Sequence, residues 1–158
     1  QIVSTAGVIL ASHFQNMNID YIVTVETKGI PLAYEVAKSL GIELVIIRKD
    51  NKITEGPTVT INYVSGTSGR IQQMALAKKC MKASSKCVFI DDFLRGGGTA
   101  EGIRALLKEF DSELVGTGVL VDNIGIENKR TSDYVSIIDL KYDKEIDKLI
   151  VNPSNIIK

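Results

Sequence analysis

Ten consecutive residues concentrate the chemistry of this chain: Ile90-Asp91-Asp92-Phe93-Leu94-Arg95-Gly96-Gly97-Gly98-Thr99. Glycines let backbone N–H groups close around an oxyanion, and a helix N-terminus adds positive potential. Thr99 offers a hydroxyl to the same anion. Two carboxylates beside such a cradle would repel a bare phosphate. They make sense where the ligand also presents hydroxyls or a divalent metal. A sugar phosphate satisfies both halves, with phosphate on the glycines and the ribose diol on the acids. Mg²⁺ could bridge further oxygens. The commoner phosphate motifs fail on spacing. The chain has no Gly-Lys-Ser/Thr for a P-loop, and counting from Gly96 the sixth position of a G-x-G-x-x-G fingerprint is Glu101. An ordinary Gly-rich turn with an Asp cap accounts for the acids or the glycines taken singly. It accounts less well for the combined string.

The elements around these residues alternate. Helical spacing of Val3, Ala6, Gly7, Leu10, Phe14 and Met17 predicts a helix over 3–16. Residues 19–25 and 42–48 read as buried strands. Between them a helix starts near Pro31 and stops at Gly41. Alternation predicts a half-exposed strand over 58–63, a flexible loop over 65–69 and a helix over 71–81. Residues 87–90 form a core strand ending in the two acids, and the glycine loop spans 93–98. Thr99 is a natural N-cap for a helix reaching about Phe110. Further strands cover 115–121 and 134–140, and the tail from Lys141 carries no clear signal. This alternation predicts an α/β domain with a mainly parallel sheet. In such sheets ligands sit at the carboxyl ends of the strands, where residues 26–30 and 91–99 form the two unusual loops.

The chain has 158 residues, which suits a single domain over 1–158. Nineteen basic residues balance nineteen acidic ones. That excludes a broad electrostatic grip on nucleic acid by this segment. No apolar run approaches the ~18–20 residues of a membrane span, so no membrane partner is expected. Cys80 and Cys87 lack metal or redox spacing and read as small buried hydrophobes. A reduced, cytoplasmic setting is the default. Residue 1 is Gln, so the sequence reads as a fragment or a processed form.

Residues 90–99 resemble the ribose 5-phosphate signature of type I phosphoribosyltransferases: hydrophobic residues, two acids, a short loop, then Gly-Gly-Thr. Residues 24–34 and 48–74 narrow the resemblance to the effector domains of the purine operon repressors of Gram-positive bacteria. The likeness covers roughly residues 3–125 and weakens after 126. It implies the type I phosphoribosyltransferase fold, a mainly parallel twisted sheet flanked by helices with a flexible loop or hairpin over the site. It also implies binding of 5-phosphoribosyl-1-pyrophosphate (PRPP) with Mg²⁺, and of ppGpp in the same pocket. On matching positions, Asp91 and Asp92 would hold the ribose hydroxyls and approach Mg²⁺. Arg95, Gly96, Gly97, Gly98 and Thr99 would cradle the 5-phosphate. Thr27, Lys28 and Gly29 would face the diphosphate. Phe93 would lie near a nucleobase. The family further implies a homodimer, and a winged-helix domain upstream of this chain that contacts DNA.

One departure from the family pattern matters. Enzymes of the fold carry Thr before Gly-Gly-Thr, and here that residue is Gly96, preceded by Arg95. The cradle then leans on backbone amides and a guanidinium, which suits bidentate phosphate contact. The resemblance thus favours a regulatory sensor, with an active purine or xanthine phosphoribosyltransferase as the alternative. Residues 49–70 correspond to the family's lid, with Lys49, Lys52 and Arg70 as candidate phosphate contacts. Tyr63 reads as packing, His13 as a surface residue, and Ser65 and Ser68 as loop residues without a nucleophile's partners.

Overall fold

The computed structural model describes residues 1–49, 56–65, 68–154 and 156–157. A six-stranded sheet runs in the order β2-β1-β5-β6-β7-β8. Its strands are β1 (Tyr21–Val25), β2 (Glu43–Ile47), β5 (Lys86–Leu94), β6 (Glu113–Asn123), β7 (Val135–Asp143) and β8 (Lys148–Pro153). The first five are mutually parallel, and β8 returns antiparallel to β7. The predicted α/β class with a mainly parallel sheet is the one observed. Among the described residues no helix is long and apolar enough to cross a membrane.

One face of the sheet carries α1 (Ile2–Phe14) and α2 (Ile30–Leu40). Ala6, Leu10 and Phe14 of α1 join Leu32, Ala33 and Val36 of α2 against Ile22, Val88 and Ile90. Gly7 permits the two helices to touch, since a Cβ there would stand 2.4 Å from the Cβ of Glu35. Pro31 occupies the first turn of α2, and Gly41 ends it in the left-handed region at φ 68°. The other face carries α3 (Gly98–Lys108), whose Ile103, Leu106 and Leu107 are fully buried against Val23, Cys87 and Phe89. Burying each such aliphatic side chain contributes about 1.5–3 kcal/mol.

Two expectations need correction. Residues 71–81 are not helical. Ile71–Ala77 form β4, paired antiparallel with β3 (Thr58–Val64), and only Lys78–Cys80 make a single 3₁₀ turn. Ile71, Met74 and Ala75 do fall at helical spacing. Pairing with β3 wins because Met74 and Leu76 thereby enter the core beside Tyr63. Cys80 is exposed, while Cys87 is buried as expected. The tail was unread from sequence; it forms the edge hairpin β7–β8. The β3–β4 hairpin packs on α3, where Gly102 admits Tyr63 and Met74. Arg48 joins it to the end of β2 through two backbone hydrogen bonds with Ala75, at 2.9 and 2.8 Å.

Candidate functional site

The carboxyl ends of β1, β2 and β5 meet under the β3–β4 hairpin. Between them lies a cleft of about 600 Å³. Its walls bring together Thr27, Lys28, Lys49, Asp91, Asp92, Phe93 and Thr99, seven residues singled out from the sequence. Arg95, Gly96, Gly97 and Gly98 line a narrower recess of about 20 Å³ that shares Asp91, Phe93 and Thr99 with the cleft. Gly29 lies behind the first loop. A Cβ there would stand 2.7 Å from Oδ1 of Asp91 and equally close to Oγ1 of Thr24. The glycine thus lets the loop after β1 sit directly on the acid of β5.

β5 extends further than its sequence suggests. It runs through Asp91, Asp92 and Phe93 to Leu94, held by pairing with β6 at Asp91↔Val119 and Phe93↔Val121. The acids therefore project from a ladder rather than from a loop, which fixes their direction. Gly97 takes the left-handed conformation at φ 76° as N-cap of α3, and Thr99 falls in the first helical turn instead of capping it. Its side chain helps line the cleft. No side chain caps this terminus. Its first N–H groups retain the donor capacity and positive potential that an anion uses.

Asp91 accepts a 2.9 Å hydrogen bond from the Asp92 N–H and has no ion-pair partner among the described residues. Burial pushes its carboxyl up to about 7, and the Asp92 carboxyl adds to the rise. The Asp92 N–H and the charge of Lys49 oppose it. Tyr63 shares this wall. It is buried, its hydroxyl bonds Gln72 at 3.0 Å, and burial together with Asp91 raises its hydroxyl pKa. The expected packing role of Tyr63 holds, and its position in the cleft was missed. Phe93 is 38% exposed, so it is available to a flat ligand.

Glu26 belongs to the first loop read from the sequence, but its bridging role was missed. It joins the first loop to the segment after β2 by accepting the Lys49 N–H at 2.7 Å and approaching Arg48 Nη1 at 3.5 Å. The signal was its place beside Thr27 at the strand end, but its partner lies 23 residues away. Ser65 and Ser68 line the cleft. The Ser68 N–H donates to Ser65 Oγ at 3.3 Å. Lys52 lies outside the described residues. His13 lies at the end of α1 and borders a separate cleft on the opposite face.

The donor set suits a divalent cation only in company. Among the described residues no three metal-ligating side chains cluster. Two adjacent carboxylates beside a glycine-lined recess suit Mg²⁺, which is held by one or two carboxylates plus ligand oxygens.

A family model described as "Phosphoribosyl transferase domain" matches residues 2–152. The chain belongs to the phosphoribosyl transferase domain family. Within that family it is 50% identical over 139 residues to the "Purine biosynthesis transcriptional repressor PurR" of Bacillus subtilis (strain 168). That match covers 88% of this chain and 49% of the relative, so the chain spans about half the length of the regulator it matches. It is 31% identical to a xanthine phosphoribosyltransferase of Deinococcus deserti, covering 84% of this chain and 68% of that enzyme. The fold matches the crystal structure of adenine phosphoribosyltransferase from Thermoanaerobacter pseudethanolicus with a TM-score of 0.77. That match has 20% identity and covers 87% of this chain and 80% of the enzyme.

Proposed function

We propose that this chain is the effector-sensing domain of a regulator of purine biosynthesis, and that its cleft binds PRPP with Mg²⁺ without turning it over. The observation that carries this reading is the placement of two strand-mounted carboxylates between two amide-rich loops. One loop sets its glycines and Thr99 around a narrow recess, and the other carries Lys28 into a cleft that Lys49 also lines. The regulator at 50% identity supplies the regulatory half. Asp91 and Asp92 receive the ribose diol and approach the Mg²⁺. The amides and side chains of 95–99 receive the 5-phosphate, and Thr27, Lys28, Gly29 and Lys49 face the diphosphate. Phe93 offers its ring to a guanine when ppGpp takes the pocket instead. Contact with DNA is assigned to the part of such regulators that this chain does not span, and the working unit is a homodimer.

A second reading rests on the xanthine phosphoribosyltransferase relative: an active purine phosphoribosyltransferase using the same pocket. One experiment separates them. PRPP and Mg²⁺ are followed by phosphorus NMR with the protein and a panel of purine bases. Shifted or broadened PRPP signals without pyrophosphate release are expected. Base-dependent release of pyrophosphate would establish the enzyme, and unperturbed PRPP signals would remove the pocket from both readings.

A further inference from the structure

The segment from Ile124 to Tyr134 links two parallel strands, β6 and β7, without a helix. Crossovers between parallel strands usually contain a helix, whose own hydrogen bonds hold it in place. This one has scattered backbone bonds, such as Ile124 N–H to the Leu140 carbonyl, and a buried side-chain cluster. Asp122, the penultimate residue of β6, is 3% exposed and carries two side-chain fastenings. Lys129 Nζ makes an ion pair with its Oδ1, and the Tyr134 hydroxyl donates to its Oδ2 at 2.8 Å. Lys129 Nζ also donates to the Tyr134 oxygen at 3.0 Å. Burial lowers the Lys129 ammonium, but bonds to Asp122 and Tyr134 outweigh it and leave its pKa raised. Burial raises the Tyr134 hydroxyl pKa.

The residues just after Lys129 touch the phosphate cradle. The Arg130 N–H donates to the Gly96 carbonyl at 2.9 Å. Thr131 is wedged under Gly97, where a Cβ would stand 2.9 Å from both the Thr131 nitrogen and its Cγ2. Arg130 Nη1 also approaches Glu101 of α3 at 3.5 Å, an exposed pair of little energetic weight. Gly96 and Gly97 thus rest against residues 130–131, which the Asp122 cluster anchors from the α1 side of the sheet.

We propose that Asp122, Lys129 and Tyr134 are positioning residues for the phosphate loop, acting through Arg130 and Thr131. Among the described residues, none of the three lines the effector cleft. They hold the backbone of 95–99 in the one conformation whose N–H groups converge, so a ligand need not order it. The affinity part of this rests on the reading that 95–99 receives a 5-phosphate. The conformational part does not.

The test compares wild type with Lys129→Met, Lys129→Arg and Tyr134→Phe, the last removing one hydroxyl and with it the bonds to Asp122 and from Lys129. Hydrogen–deuterium exchange is read separately for residues 95–99 and for residues 27–30 in the ligand-free protein. Titrations use ribose 5-phosphate for the first loop and Mg²⁺-pyrophosphate for the second. Lys129→Met should speed exchange at 95–99 about ten-fold and weaken ribose 5-phosphate about ten-fold, with 27–30 and pyrophosphate unchanged within two-fold. Tyr134→Phe should show the same pattern at smaller size, and Lys129→Arg should restore it. Unchanged exchange at 95–99, or equal loosening of both loops, overturns the proposal. A wild type that ignores ribose 5-phosphate refutes the reading of the cradle instead, and exchange still decides the positioning role.

Discussion

Asp91 and Asp122 stand on adjacent strands, three register steps apart, since Leu94 pairs with Asp122. Both are carboxylates withdrawn from bulk solvent, and the chain treats them oppositely. Asp122 is completed internally by a cation and a hydroxyl. Asp91 is given one backbone N–H, a neighbouring carboxyl and a wall of Gly29, and its pKa rises to about 7. A buried charge is tolerable when hydrogen-bonded partners are built in and costly when they are absent. The difference separates an acid completed within the fold from one left facing the cleft.

The largest test breaks the completed side. Asp122→Leu leaves the Lys129 ammonium unpaired at 10% side-chain exposure. It should cost about 3–5 kcal/mol in urea unfolding. Asp122→Leu with Lys129→Met should recover most of that, because an apolar pair of similar volume needs no compensation. A double variant as unstable as the single one would show that packing, not charge, governs the cluster.

Asp91→Asn should act with the opposite sign. A carboxyl raised from 3.8 to about 7 favours the folded state most below its unfolded value. That advantage fades as pH climbs to about 7, because the folded state binds the extra proton. Ligand-free wild type, in chelator, should therefore lose on the order of 1–3 kcal/mol relative to Asp91→Asn between pH 4 and 8, a range discounted for water in the cleft. The same variant should lose PRPP binding. Parallel pH profiles for the two proteins would mean that Asp91 is solvated after all.

Arg95→Ala tests the cradle beside that acid. It should weaken ribose 5-phosphate by ~1.5–3 kcal/mol by calorimetry, the range for a charge-assisted hydrogen bond. Unchanged affinity would leave the anion to the backbone amides alone. The smallest test concerns Cys87, buried beside Met81 with a thiol pushed up to about 12 chiefly by burial. Ellman's reagent should label Cys80 rapidly in the native state and Cys87 only on unfolding.

Local signals carried much of the fold. Pro31, Gly41 and the apolar runs near 22, 45 and 88 each act within a turn or a strand, so residue type alone reports them. The acids and glycines of 91–99 were legible for the same reason, since their chemistry is written in consecutive residues. Ile71–Ala77 was misread because its spacing fits both periods, and only the partner strand β3 breaks the tie. The bridging role of Glu26 and the cleft position of Tyr63 were missed because they depend on Lys49 and Asp91, which only the fold brings alongside.

By itself, then, the sequence determined an α/β chain with a diacid–glycine cradle at a strand end, because propensity, period and loop chemistry are local. The tertiary structure decided which acids are satisfied. The string marks Asp91 by its neighbours, but it does not say whether Asp91 or Asp122 meets a partner charge. One strand step, one crossover and the reach of Lys129 and Tyr134 close the second and leave the first open. Electrostatic completion is a property of space, and only the fold brings the partner charge within hydrogen-bonding distance.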